Sequence, residues 1–140
     1  MTDELPCACT ALRKASRAVS RLYDDALAVH GLTVTQFAIL RNIERLGGPV
    51  LSALAETLVM DRTSLYRTLE PMQRAGWIEI AAAARGRAKL ARLTPAGRAL
   101  MAAAAGDWAA AQARVVEGFG AEAWAAMNAG LARVVEIAAA

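Results

Sequence analysis

The stretch from residue 52 to residue 80 confines the fold most tightly, because two short helical periods separated by about three residues give way there to the alternation of a strand. Ser52 is a favourable N-cap for a short helix through Leu58, since a serine hydroxyl accepts from first-turn amides. Asp61 is placed to cap a second helix over 62–75, which turns Leu65, Leu69 and Met72 inward. Gly76 stands just past its end, where a left-handed residue is favoured. The outer face of this second helix is polar and basic. Two short helices with so little chain between them form a helix-turn-helix pattern.

The period changes after Gly76. Trp77-Ile78-Glu79-Ile80 and Lys89-Leu90-Ala91-Arg92-Leu93 alternate as two strands, and Arg85-Gly86-Arg87 supplies a glycine at the tip of the hairpin. Thr94-Pro95 is a strong helix start, a capping threonine followed by a proline at the first helical position. A long helix is expected to about Val116, with a break at Gly118 to Gly120 and a last helix over 121–138. Upstream, Leu12, Ala15, Val19, Leu22, Tyr23 and Ala26 mark an amphipathic helix over 10–29. Thr33-Val34-Thr35-Gln36 has the form of a capping box, opening a helix that turns Phe37, Leu40 and Ile43 inward and stops at Gly47-Gly48-Pro49. Val50-Leu51 suffices only for an edge strand. Sparse aromatic and β-branched residues agree with a mainly α chain.

The expected architecture is therefore a winged helix-turn-helix head over 32–98, with dimerisation helices in 1–31 and 99–140, all within one domain of 140 residues. Leu100, Ala104, Trp108, Ala111 and Val115 form one seam, and Trp124, Met127, Leu131 and Val134 another. Both ask for a partner helix, and a second copy of the chain supplies one. The net charge of +3 is unevenly spread. Residues 61–98 carry eight cations against three carboxylates, residues 1–60 balance, and residues 99–140 carry four carboxylates against two cations. A basic middle between neutral and acidic flanks is the footprint of phosphate binding.

The acidic start, Met1 to Pro6, lacks the basic and apolar run of a secretory signal, and no window reaches the roughly 20 apolar residues of a membrane span. A cytoplasmic protein without membrane contact is the expectation. Cys7 and Cys9 are the only cysteines, which excludes a disulfide framework and agrees with a reducing compartment. As metal ligands they would need two more donors, and His30 is the only histidine. No cofactor is expected. Ser52, Ser64 and His30 lack a nucleophile-elbow context and no glycine-rich phosphate loop occurs, so catalysis is not expected.

Four motifs in register carry a resemblance that spans nearly the whole chain. They are Leu32-Thr33-Val34-Thr35-Gln36-Phe37, the run from Leu54 to Leu65, Gly76-Trp77-Ile78, and Leu93-Thr94-Pro95-Ala96-Gly97. The chain resembles the MarR family of transcription regulators, which implies a homodimer on a palindromic double-stranded operator. Under that reading Arg62, Thr63, Ser64, Tyr66 and Arg67 enter the major groove, where polar side chains of varied donor pattern read bases and phosphates. Arg85, Arg87 and Lys89 belong to the wing, whose tip enters the minor groove. Family wings commonly have an aspartate where Arg85 stands here, so a structural acid-base pair is replaced by an added charge.

Resemblance also implies a switch. Relatives respond to small aromatic or acyl ligands between the dimerisation helices and the head, and Tyr23, His30, Phe37 and Trp108 are expected where the first, second and fifth helices converge. A rival switch is oxidation. Cys9 stands fourteen residues before Tyr23, as in the hydroperoxide sensors of the family, although the usual second tyrosine is Arg13 here. Cys7 is its neighbouring thiol. A winged helix serving only as a protein-interaction module is the further alternative, and repression is the expected mode of a regulator.

Overall fold

The computed structural model describes residues 5–140, so the reading of the amino terminus at residues 1–4 lies outside the described residues. Six α-helices and one hairpin follow in the order α1 (Ala8–Leu27), α2 (Val34–Arg45), α3 (Leu51–Leu58), α4 (Arg62–Arg74), β1 (Ile78–Ala82), β2 (Lys89–Leu93), α5 (Pro95–Phe119) and α6 (Ala121–Ala139). A 3-10 turn over Ala28–His30 closes α1 and ends on Gly31.

The capping box of α2 forms in both directions. The Gln36 amide donates to Thr33 Oγ1 at 3.2 Å, and the Thr33 amide donates to Gln36 Oε1 at 3.0 Å. Phe37, Ile39, Leu40 and Ile43 of α2 then meet Leu54, Leu65, Leu69 and Met72 of α3 and α4 in one core, and no polar side chain is buried among the described residues. Burial of such branched and long apolar side chains contributes roughly 1.5–3 kcal/mol each. Strands β1 and β2 pair antiparallel from Ile78 with Leu93 to Ala82 with Lys89.

Helix α1 begins and ends two residues earlier than expected, and the start of α3 and the end of α5 also differ. Val50, not Ser52, precedes the first helical residue of α3. Pro49 and Val50 are committed to the wing: the Ala91 amide donates to the Pro49 carbonyl at 3.0 Å, and Val50 forms a single bridge with Leu90. The expected edge strand thus shrinks to that one bridge, and Leu51 is already helical. Helix α5 continues through Gly118 to Phe119, because only Gly120 leaves helical geometry, at φ 99°.

The first turn of α5 is bolted to the end of α4. Thr94 accepts from the Gly97 amide at 3.0 Å while its own hydroxyl donates to the Gly76 carbonyl. The Thr94 amide donates to the Trp77 carbonyl at 3.1 Å. Gly97 lies so close that an added Cβ would stand 2.0 Å from that same Trp77 oxygen.

The seam on α5 is largely an intrachain contact, contrary to its expected role. Ala104 and Ala111 are buried, and Leu100, Met101 and Trp108 pack on the head's core. The reason is that α5 crosses α1 and α2 on its way out of the head, and this face meets them first. The stripe on α6 stays open, with Met127, Val134, Val135 and Ile137 exposed, as are Leu12 and Val19 of α1. Among the described residues no helix is long and apolar enough to cross a membrane.

Gly97→Ala is expected to destabilise the chain by about 1–3 kcal/mol, since the new methyl must displace backbone rather than a flexible side chain. Urea unfolding of the two proteins side by side measures the difference, and equal midpoints would refute the close contact.

Candidate nucleic-acid interface

Asp61 organises the start of α4. Its carboxylate accepts from the Ser64 amide at 3.1 Å and from the Ser64 hydroxyl at 2.5 Å. Those bonds, the hydroxyl first and the amide second, hold the Asp61 carboxyl below its ordinary value. Ser64 is also exposed, and because its hydroxyl proton goes to the cap, its oxygen is left as an acceptor. Arg62, Thr63, Tyr66 and Arg67 are exposed, and Leu65 between them is fully buried.

A groove of 650 Å³ runs between α4 and the wing. Arg62, Tyr66, Glu70 and Gln73 line it from α4, Arg87 and Lys89 from the wing, and Ser52 from the start of α3. Four expected contacts, Arg62, Tyr66, Arg87 and Lys89, are therefore brought to one concavity. Thr63, Ser64, Arg67 and Arg85 lie outside its lining. Gln73 and Ser52 were missed by sequence reasoning; Gln73 follows Leu69 by four and Tyr66 by seven, a spacing that could have placed it on the same face. Arg67 forms no ion pair with Glu70; among the described residues the sole close contact between a basic and an acidic side chain is His30 with Asp107. The cations of α4 and the wing are thus free to meet phosphate.

Tyr23, His30, Phe37 and Trp108 do converge. Phe37 stacks on Trp108 with centroids 5.7 Å apart, and Tyr23 lies 6.4 Å from the same ring. His30 Nε2 is 2.7 Å from Asp107 Oδ2, and the Tyr23 hydroxyl donates to Gln112. Burial pushes the Tyr23 hydroxyl above its ordinary value, with the Arg41 charge opposing. Beside this cluster a 950 Å³ cavity opens between α2 and α5. Phe37 and Trp108 form part of its wall with Met101, whereas Tyr23 and His30 do not. Arg41, Arg45 and Arg98 also line it, and the Arg41 guanidinium sits 4.2 Å from the Trp108 centroid. Sequence reasoning missed these arginines; Arg41 and Arg45 follow Phe37 at steps of four, so the helical period alone puts them on its face.

Cys7 and Cys9 are exposed and unbonded. Cys7 stands at the N-cap of α1, and the Thr10 amide and hydroxyl, with the Cys9 amide, lower its thiol. Cys9 and Tyr23 are not brought together within the chain. Fourteen residues of continuous helix separate them by roughly 21 Å.

Fold and groove together define a winged helix-turn-helix protein with a cationic reading face. A MarR family model matches residues 30–88. The DNA-bound crystal structure of the M. tuberculosis transcriptional regulator MosR is similar at a TM-score of 0.87 and 36% identity, covering 94% of this chain and 96% of that one. A probable transcriptional regulator from Pseudomonas aeruginosa is similar at a TM-score of 0.83 and 25% identity, covering 92% and 97%. PcaV of Streptomyces coelicolor, in complex with its natural ligand, shares the fold at a TM-score of 0.86 and 19% identity, covering 99% and 98%. No curated protein sequence matches the chain. The chain belongs to the MarR family, whose members are transcriptional regulators and not enzymes.

The Asp61 cap carries a pH dependence with a definite sign. A carboxyl lowered by folding stabilises α4 fully above its unfolded value of about 3.9, and that contribution is lost as pH falls through the lower folded value. Amide-exchange protection in the first turn of α4 should drop on such acidification. Asp61→Asn, which caps without titrating, should remove this step, and a step that survives would place its origin elsewhere.

Proposed function

We propose that the chain is a dimeric repressor that binds a palindromic double-stranded operator and leaves it when a small molecule is bound. The observation that carries this reading is the groove in which Arg62 and Tyr66 of α4 meet Arg87 and Lys89 of the wing without an acidic partner closing any cation off. Thr63 and Arg67 extend the same face along α4, and Arg85 extends the wing. An arginine fork suits guanine or phosphate, threonine suits phosphate, and a wing-tip cation suits the negative potential of a narrow minor groove. The DNA-bound state of MosR supports this assignment.

Residues 1–31 and 99–140 serve dimerisation in this reading, and the stripe of α6 supports it, since Met127 and Val134 are exposed and Trp124 and Leu131 are only half-buried. Two heads related by a twofold axis meet half-sites about one helical turn apart. A dimer seated there represses by excluding other proteins from the same duplex.

The α2–α5 cavity is the place for the effector. Its apolar wall of Phe37, Met101 and Trp108 takes an aromatic or acyl body, and Arg41, Arg45 and Arg98, which outnumber the one carboxylate of the lining, Glu44, favour one that bears an anion. Tyr23 and His30 act from behind this wall through their bonds to Gln112 and Asp107. PcaV, which shares this fold, is in complex with its natural ligand, and that supports a place for a small molecule in the fold.

A second reading has its own observation. An exposed thiol at a helix N-cap, lowered by Thr10, is a candidate for oxidation, and this observation moves the emphasis from Cys9 to Cys7. The Cys7 thiolate would attack one peroxide oxygen, break the O–O bond and become a sulfenic acid as hydroxide leaves.

Selection of bound duplexes from a random pool, with and without peroxide, tests both. An enriched palindrome is expected; none in either condition would favour a protein-interaction module. Loss of binding under peroxide that Cys7→Ser abolishes would establish the thiol switch. On the selected duplex, Arg67→Ala should weaken binding by about 1–3 kcal/mol if Arg67 reads a base. Lys89→Ala should instead lower affinity evenly across sequences and flatten the salt dependence, the signature of a phosphate contact.

A further inference from the structure

Among the described residues, seven have a positive φ in the left-handed region, and six of them are glycine: Gly31, Gly47, Gly48, Gly76, Gly86 and Gly120. The seventh is Val59, at φ 53° and ψ 44°. A β-branched residue is poorly suited to this conformation, because its branched Cβ crowds the backbone on both sides. The position itself is an ordinary helix ending. The Val59 amide donates to Glu56 at 3.1 Å and the Met60 amide to Ala55 at 2.9 Å, a pattern that glycine normally completes.

Burial does not repay the strain. Leu58 and Met60 pack on the core to either side, whereas Val59 is 70% exposed. Its isopropyl group stands in the turn between α3 and α4, two residues before the Asp61 cap and three before Arg62, at the end of the helix that faces DNA in the reading above. Strain retained at an exposed site points to a use made of the side chain outside the folded chain. An isopropyl group offers no hydrogen bond, so it has nothing for a phosphate. The major-groove feature it can recognise is the thymine 5-methyl group.

We propose that Val59 is a specificity-determining residue, held in a left-handed conformation so that its isopropyl group packs against a thymine methyl at the edge of each half-site. The proposal rests on α4 being the helix that enters the groove. The duplex with the highest affinity from random selection is the probe, remade with each thymine in turn replaced by deoxyuridine, which removes only the methyl. Wild type should lose about fourfold in affinity at one symmetric position, the worth of one buried methyl. Val59→Asn tolerates the left-handed backbone and lacks the isopropyl group. It should melt about 3 °C higher, lose affinity for the thymine duplex, and no longer distinguish uracil at that position.

A lower melting temperature for Val59→Asn would overturn the strain argument, and so would the same result for Val59→Gly. Wild type and Val59→Asn with identical thymine-to-uracil profiles would overturn the contact. Failure of wild type to enrich any duplex would instead overturn the reading of α4, so the two failures are distinguishable.

Discussion

The joint between α4 and α5 is the constraint on which the molecule's geometry depends. A reading helix is useful only if its position follows from the position of the part that joins two copies. Here that transmission is short and stiff. Thr94 caps α5 through Gly97 and bonds the carbonyl of Gly76, and Gly97 meets Trp77 backbone to backbone with no side chain between. Because packed backbones cannot interpenetrate, displacement of the first turn of α5 is passed on to the residues that end α4. The wing is tied to the same point, since β1 begins at Ile78, one residue beyond Trp77.

The location of the α2–α5 cavity gains meaning from that joint. Arg98 and Met101 line it, and they are the first and fourth residues after Gly97. A molecule placed between α2 and α5 would therefore press on the very turn that is bolted to α4. The far wall, formed by Phe37 and Arg41, belongs to the helix whose Ile39, Leu40 and Ile43 anchor the head's core.

Much of this was legible in the sequence because its punctuation is local chemistry. Thr33 with Gln36, Asp61 with Ser64, Thr94 with Pro95, and Gly76 each act within four residues, so the capping rules placed the helices almost to the residue. Ser52 misled for the opposite reason. The start of α3 is decided by Pro49 and Val50 bonding to β2, forty residues away, which no local rule contains. The α5 seam was legible as a stripe but not as to its partner, since periodicity states that a face is apolar and not what covers it. Arg41, Arg45 and Arg98 were invisible as a set because they come from two helices that only the packing brings together.

The electrostatics of the head follow the same division between local and distant. Within α4 the sequence puts Arg62, Arg67 and Arg74 on a helix with one acid, Glu70, and the fold leaves those charges unpaired while it adds Arg87 and Lys89 from the wing. Like charges gathered on one face repel, so the arrangement costs the isolated chain some stability. The compensation lies in the counterions that a polyanion releases when such a face replaces them, a gain realised only in the complex.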